Sequence, residues 1–212
     1  MEPIERLFEL VLRTAYIYGE QAQSMLLISE VERGKSVMTS QFEENNGVIW
    51  AHDMTAHGII RKYGGDLKAG KVKHIIFPEF IFPLSRNSDT VHTLIAFLNG
   101  LIEEGIKEIQ TYATSFSFGK PVRAGIIACL TRDEFERRHR FWAASGFLSR
   151  FLPVTYDYAE NSPTEKRIFD AIFAQRQLEI PHLYTFSSSS IILPPTIAKR
   201  LYPAAQESTR SI

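Results

Sequence analysis

Eight consecutive residues have the types and the order that a phosphate-binding loop requires. They are Ser29, Glu30, Val31, Glu32, Arg33, Gly34, Lys35 and Ser36. An apolar run precedes them and a helix is expected to follow, so backbone N–H groups can point into a tight loop. In this interpretation Lys35 reaches the β- and γ-phosphates, the Ser36 hydroxyl binds Mg²⁺, and Gly34 lets the backbone approach the phosphate closely. The segment is therefore a candidate site for ATP and Mg²⁺.

Some residues of this loop weaken the phosphate-binding pattern. Ser29 stands where the usual pattern has its first glycine, and Glu30 and Glu32 carry charges that oppose a triphosphate unless they point away. Arg33 partly offsets those charges. The alternative interpretation is a solvated turn before a helix, because the last three residues of the pattern also occur together by chance.

Three polar residues later in the chain follow apolar segments in an informative order. Glu79 directly follows one apolar run, Thr131 directly follows another, and Arg150 ends a predicted short helix. Taken singly, each has an ordinary explanation. Glu79 and Thr131 can be polar strand ends, and Arg150 can form a surface salt bridge.

The order of loop, acid, polar strand end and arginine resembles that of AAA+ ATPases, which are P-loop NTPases of the additional-strand type. The resemblance covers about residues 20 to 180 and implies that the loop is a Walker A variant. It also implies that Glu79 organises Mg²⁺ and the attacking water, although Pro78 stands where the family usually has aspartate. Thr131 corresponds to a sensor-1 residue near the γ-phosphate. Arg150 corresponds to an arginine finger that acts on a neighbouring subunit's nucleotide.

Two further segments, 96–105 and 146–151, look like those of poorly characterised prokaryotic or viral ATPases of this type. An AAA+ lid normally supplies a second sensor arginine from a helical bundle after the core. The tail of this chain has one clear helical pattern, so we expect a reduced or absent lid. Arg167 and Arg200 are the candidate sensor arginines.

The elements that must position these residues alternate between apolar runs and helical periodicities. This alternation predicts an α/β fold with a five-stranded, mainly parallel sheet flanked by helices. The predicted strands are 24–29, 47–52, 72–78, 125–131 and 152–158. The predicted helices are 4–18, one from about Lys35, 90–104 with Gly105 as its stop, 141–150 and 163–178.

The remaining segments complete a three-part organisation of the chain. We expect 53–70 to be irregular and 118–121 to lie in a loop, because both contain glycine. The N-terminal helix occupies 1–20 and the P-loop NTPase core occupies 21–160. A short C-terminal helical segment and tail occupies 161–212.

Composition and charge exclude several classes of protein. Hydrophobic residues make up 44% of the chain and charged residues 23%, and 24 Lys and Arg balance 24 Asp and Glu. A packed core is therefore expected, and no overall positive charge attracts nucleic acid or membrane. No apolar run approaches the roughly 18 residues of a membrane span, so we expect no membrane contact. The single cysteine, Cys129, cannot form an internal disulfide, which favours a buried thiol and a cytoplasmic protein.

Three clusters outside the loop have weaker functional interpretations. His52, Asp53 and His57 lie close together, but their spacing fits no compact zinc motif, so ordinary loop residues are the preferred interpretation. The mixed-charge run 132–140 is interpreted as a solvated helix face, and its basic end, 137–140, is a weaker candidate for contact with a phosphate backbone or a neighbour's acidic patch. The third cluster mixes aromatic and basic residues in a region that AAA+ enzymes often use to contact a polymer substrate. It consists of Tyr112, Phe116, Phe118, Lys120 and Arg123.

Two functional classes follow from these observations. The first is an ATPase that hydrolyses ATP with Mg²⁺ and remodels a nucleic acid or a protein, working as a homo-oligomer because Arg150 acts in trans. The second is a non-hydrolysing nucleotide-binding or scaffold module, because Ser29, Glu32 and Pro78 erode the chemistry of the site.

Overall fold

The computed structural model describes five ranges of the chain. These are residues 3–17, 19–31, 33–43, 45–111 and 114–155. The predicted helix over 163–178, the expected lid and its candidate arginines Arg167 and Arg200 lie outside the described residues.

Five strands form one parallel sheet, as the sequence predicted. The strands of the described residues, numbered along the chain, are β1 Ser24–Ser29, β2 Val48–Trp50, β3 His74–Phe77, β4 Ile106–Thr111, β5 Thr114–Val122, β6 Gly125–Thr131 and β7 Phe151–Thr155. The parallel sheet has the order β2-β3-β6-β1-β7, and β4 and β5 form a separate antiparallel hairpin. Every residue of β1 is buried, as expected for a parallel strand that helices cover on both faces.

The helices connect these strands and cover the sheet. They are α1 Pro3–Thr14, α2 Lys35–Ser40, α3 Ala56–Lys68, α4 Ile81–Leu84, α5 Ser88–Asn99 and α6 Arg132–Ala144. A π-helical turn, Gly100–Glu104, continues α5 and stops at Gly105, as predicted, and a 3₁₀ turn, Leu148–Arg150, precedes β7.

The direction of each crossover decides which face its helix covers. The connection from β1 to β2 through α2 runs toward one edge of the sheet, whereas the later connections through α3, α5 and α6 run toward the other edge. Because crossovers between parallel strands are right-handed, α2 must lie on the face opposite the other three helices.

The buried side chains separate in the same way. Leu26 and Ile28 of β1 belong to one core cluster, which includes residues of α3, α5 and α6. Met25 and Leu27 belong to a second cluster, together with Phe8 of α1 and Met38 of α2. The alternation along β1 therefore supplies both layers of the core.

The expectation that 53–70 is irregular was wrong, because α3 occupies most of it. The Thr55 side chain accepts a hydrogen bond from the Gly58 N–H and so caps the helix. Gly64 in the middle of α3 allows Phe116 of β5 to approach, since a Cβ at that position would lie 2.9 Å from the Phe116 ring. Gly64, which argued against a helix, therefore serves packing.

The expectation that 118–121 is a loop was also wrong. These residues lie in β5, which pairs with β4 in a register that shifts between Ile106 and Glu108. Gly119 has a positive φ of 81°, and Pro121 lacks an N–H, so the sequence carried loop signals inside a strand. The irregular pairing accommodates both residues at the edge of a two-stranded sheet.

The helix before β7 begins earlier than predicted. The sequence predicted a short helix over 141–150, but α6 runs from Arg132 to Ala144. Thr131 caps it by accepting a hydrogen bond from the Glu134 N–H. Thr131 and Glu134 have the spacing of a capping box, a signal that the charged composition of the segment concealed.

His74 is a neutral histidine buried at the amino-terminal end of β3. Its ring is 1% exposed, and its Nε2 lies 3.1 Å from the Gln23 carbonyl oxygen. Burial lowers the pKa of His74 from 6.5 to about 4, against the effect of that hydrogen bond. Below pH 6.5 the unfolded chain therefore binds a proton that the folded chain does not, so stability falls with acidification.

Acid unfolding tests the state of His74. From about pH 7 to about pH 5, the free energy of unfolding should fall by about 2 kcal/mol through this residue alone. The variant His74→Gln should lose less stability than the wild type over the same interval, as measured by urea titration. His139→Gln, on α6, is the control for the replacement of a histidine by glutamine. Equal slopes for His74→Gln and the wild type would show that the pKa of His74 is the same in the folded and unfolded chains, which contradicts the effect of burial.

Candidate phosphate-binding site

The predicted loop lies at the point in the sheet where the connections after two neighbouring strands run to opposite faces. β1 and β6 are neighbours, with Ser29 opposite Thr131, and their following helices cover opposite faces. In open α/β sheets such a point leaves a crevice beyond the carboxyl ends of the two strands, and ligands bind there. We call the space beyond Ser29 and Thr131 the β1–β6 crevice.

Lys35 is folded back onto the start of its own loop. Its Nζ donates hydrogen bonds to the Ser29 carbonyl at 3.2 Å, the Ser29 hydroxyl at 2.8 Å and the Glu30 carbonyl at 2.6 Å. Burial lowers the pKa of Lys35, while the acidic groups of Cys129, Glu30 and Glu79 oppose that shift. The loop therefore supplies three oxygen acceptors for a half-buried ammonium group, which are positions that phosphate oxygens can take over.

The turn into α2 depends on Gly34. Its φ of 69° and ψ of 17° are left-handed, a conformation that glycine adopts at no steric cost. The helix that follows has only six residues, and the Thr39 hydroxyl bonds back to the Lys35 and Ser36 carbonyls. Such back-bonding by threonine weakens short helices. Side chains and loop N–H groups, more than a helix dipole, must therefore bind an anion here.

Glu79 and Thr131 lie at the carboxyl ends of their strands, on the same side of the sheet as the loop. Pro78 is buried and Glu79 is exposed just beyond β3, and the next N–H, of Phe80, donates to the Cys129 carbonyl of β6 at 3.0 Å. The Thr131 hydroxyl accepts the capping bond from α6 and keeps its own proton for donation. The structure thus brings Lys35, Glu79 and Thr131 to one end of three adjacent strands.

Glu30 has a partner that the sequence interpretation missed. Its Oε1 lies 3.0 Å from Nε of Arg132, the first residue of α6, and both side chains are about half exposed. The ladder that places Ser29 opposite Thr131 also places Glu30 next to Arg132, so strand pairing was the signal for this contact. Glu32 lies outside the described residues, and Val31 is 65% exposed.

Arg150 lies at the amino ends of the strands, on the side of the sheet opposite to the loop. It directly precedes β7, whose first residue is paired with Ser24 at the amino end of β1. Its Nη2 lies 2.5 Å from Glu103 Oε2, and its Nη1 donates to the Gly146 carbonyl. Arg150 is therefore remote from its own chain's loop, and its action on a neighbouring subunit stays a prediction.

The donors for a metal ion at the crevice are few. Ser36 offers a hydroxyl and Glu79 a carboxylate, which fits Mg²⁺, an ion that keeps several waters and binds one or two protein oxygens beside phosphates. Across the described ranges, no three His, Cys, Asp or Glu side chains form a metal-binding group. Of the cluster at 52–57, Asp53 pairs with Arg86 at 2.8 Å, and His52 accepts a hydrogen bond from Trp50 at 2.7 Å.

Two aromatic residues of the hairpin, Phe116 and Phe118, contribute to the core. Phe118 is 2% exposed and Phe116 packs against the core, with the two rings 4.9 Å apart. Lys120 and Arg123 are exposed, but Tyr112 lies outside the described residues. Burial argues against substrate contact by Phe118, whereas for the partly buried Phe116 such contact stays a prediction.

A separate cavity of about 540 Å³ lies between α3, α5 and the hairpin. Ile60, Phe97 and Ile109 give it apolar walls, and His57 and Asp89 add polar groups. None of the crevice residues lines it. It is a different place in the fold from the phosphate loop.

The comparisons with known proteins identify no family. The chain matches no protein-family model and no curated protein. Among the described residues, no helix has both the length and the apolar character needed to cross a membrane. A function must therefore be argued from the α/β fold and the residues of the crevice.

Cys129 lies beneath the loop and is well protected. It is 2% exposed, and burial raises the pKa of its thiol to about 12, although Lys35 and a hydrogen bond with Thr39 oppose that shift. Thiolate, and not thiol, reacts with disulfide reagents.

The reactivity of Cys129 tests this packing. In the folded protein at mildly alkaline pH, an aromatic disulfide reagent should react at least about a thousandfold more slowly than in concentrated guanidinium chloride. The chain has one cysteine, so the released chromophore reports this site alone. Rapid reaction of the folded protein would contradict the placement of Cys129 under α2.

Proposed function

We propose that this chain is a P-loop NTPase domain of the additional-strand, AAA+-like type that binds ATP with Mg²⁺ and hydrolyses it. The observation that carries the proposal is the convergence of Lys35, Glu79 and Thr131 on the β1–β6 crevice. Glu79 and Thr131 lie at the ends of β3 and β6, and Lys35 follows the loop after β1, so the parallel pairing of these strands brings the three residues to one end of the sheet.

The strand order supports the additional-strand type. β6 lies between β1, which leads into the loop, and β3, which leads to Glu79. An inserted strand between these two is the arrangement that gives the class its name. It places Thr131 between the cation and the carboxylate, where a hydroxyl can contact the terminal phosphate or the attacking water.

Each crevice residue has a role that its environment allows. Lys35 exchanges its loop acceptors for the oxygens of the β- and γ-phosphates. Glu79, an exposed carboxylate, orients and deprotonates water. Thr131 keeps a proton to donate after capping α6. Ser36 and Glu79 are the residues that would hold Mg²⁺, and a bound Mg²⁺ would supply positive charge beside the phosphates.

The proposal extends to the assembly of the domain and to its substrate. As an AAA+-like domain, the chain would act in the cytoplasm as a homo-oligomer, with Arg150 reaching a neighbour's γ-phosphate, and would remodel a nucleic acid or a protein. The pairing of Arg150 with Glu103 and Gly146 adds a condition, since that side chain must leave these contacts before it reaches another subunit.

The alternative is a non-hydrolysing nucleotide-binding or scaffold module. The observation that favours it is Pro78, which is buried at the end of β3 and offers no carboxylate beside Glu79. Because one carboxylate must serve both the metal and the attacking water, hydrolysis is the activity that such a site loses before nucleotide binding.

Removal of Lys35 tests nucleotide binding. A fluorescent ATP analogue with Mg²⁺ should bind Lys35→Ala roughly ten to a hundred times more weakly than the wild type, because a charged group loses its hydrogen bonds to phosphate. Lys120→Ala, an exposed lysine on the hairpin, is the matched control and should bind normally. A wild-type protein that binds no nucleotide would overturn the proposed function.

Neutralising Glu79 separates hydrolysis from binding. Glu79→Gln should lower the rate of phosphate release by about a hundredfold or more, because the water loses its base, while the affinity for ATP is kept. Glu108→Gln on the hairpin is the control. Unchanged hydrolysis in Glu79→Gln would remove this residue from the mechanism, and a wild-type protein that binds without turnover would favour the alternative.

A further inference from the structure

Two cations meet at a single residue of the phosphate loop. The Glu30 carbonyl accepts a hydrogen bond from Lys35 Nζ at 2.6 Å, and the Glu30 carboxylate lies 3.0 Å from Arg132 Nε. Lys35 comes from the loop, whereas Arg132 comes from the helix beyond the neighbouring strand. Glu30 therefore holds together charges from the two sides of the β1–β6 crevice.

The position of Arg132 follows from the fold. It is the residue after Thr131, and Thr131 is paired with Ser29 in the parallel ladder. Asp133 and Glu134 also lie in the first turn of α6, so the positive charge at this end of the helix comes from the Arg132 side chain.

The contact between Glu30 and Arg132 is open to exchange. The side chains are 47% and 51% exposed, and ion pairs that solvent reaches in this way contribute little stability. A guanidinium group that binds a carboxylate can bind phosphate with the same planar set of donors. A phosphate group in the crevice therefore competes with Glu30 for the same cation.

Two other arginines of α6 have a partner within their own helix. Arg137 and Arg138 both pair with Glu134 of their own helix, and that carboxylate is 13% exposed. Within the described part of the chain, Arg132 is thus the α6 arginine whose ion-pair partner belongs to the phosphate loop.

We propose that Arg132 is a second phosphate-binding cation of the crevice and that Glu30 is the internal counter-ion that a nucleotide displaces. In the unliganded protein, Glu30 neutralises Arg132 while its carbonyl holds Lys35. When a polyphosphate binds, both cations transfer to phosphate oxygens. This inference rests on the proposed function, because it assigns further residues to the same site.

Three variants test the exchange in the full chain with Mg²⁺ present. Arg132→Ala should weaken binding of a fluorescent ATP analogue roughly tenfold, and Arg132→Lys should weaken it less, because the charge stays while the planar donors are lost. Glu30→Gln should tighten binding by up to about fivefold, because the competing carboxylate is gone.

The control is Arg138→Ala, which breaks a similar arginine–carboxylate contact on the same helix, 3.1 Å long, without touching the loop. It should leave nucleotide affinity unchanged. Urea titration of every variant shows whether each one is folded, so that a loss of binding is not a loss of structure.

Inorganic tripolyphosphate, used as a competitor, identifies the part of the ligand that Arg132 contacts. Arg132→Ala should weaken tripolyphosphate and the ATP analogue by a similar factor. If only the ATP analogue is weakened, Arg132 contacts the base or the sugar and the inference is wrong.

The outcomes also separate this inference from the proposed function. A wild-type protein that binds no nucleotide overturns both. A wild-type protein that binds through Lys35, with Arg132→Ala and Glu30→Gln indistinguishable from Arg138→Ala, leaves the proposed function standing and refutes the exchange.

Discussion

The parallel pairing of β1 with β6, whose crossovers leave toward opposite faces, is the constraint on which the rest of the structure depends. Because right-handed connections put α2 on one face and α6 on the other, these two helices diverge from the ends of their strands and leave a crevice between them. The register then brings Ser29 beside Thr131. Every residue argued to act on phosphate is positioned by this one gap.

The Lys35 ammonium group at this gap needs hydrogen-bond acceptors from the loop. Lys35 is half-buried, and an unpartnered ammonium group would be costly there, so the loop closes until three of its oxygens accept hydrogen bonds. Ser29 contributes two of these oxygens, and its side chain is 1% exposed. The serine that departs from the usual glycine thus has a structural reason, because its hydroxyl solvates the lysine.

The sequence was most informative where one physical signal acted alone. The run 24–29 predicted β1 with correct bounds, because a strand covered on both faces has no alternative to continuous apolar residues. The failures came where signals conflicted. Gly64 lies inside α3 to admit Phe116, Gly119 and Pro121 lie inside β5 because the hairpin has an irregular register, and each was interpreted as a loop signal.

Some residues of the candidate site could be predicted from the sequence and others could not. Lys35, Glu79 and Thr131 follow their strands or loop directly, so a parallel sheet was enough to predict their shared edge. Arg132 could not be found in this way, because its partner Glu30 is 102 positions away and the strand order was unknown. A contact that depends on the strand order can be predicted only once the fold is known. The sequence pattern alone can predict which residues lie at the strand ends.

Pro78, which stands where the AAA+ pattern has aspartate, ends β3 and determines how Glu79 is presented. Proline has no N–H for the ladder, which fits its place just after the last paired residue of β3, Phe77. The chain turns there, and Phe80 resumes contact with β6 through the Cys129 carbonyl. That turn leaves Glu79 exposed at the crevice and in electrostatic contact with Lys35. Pro78, which leaves the proposed metal site with a single carboxylate, therefore also helps to present that carboxylate, Glu79, to the crevice.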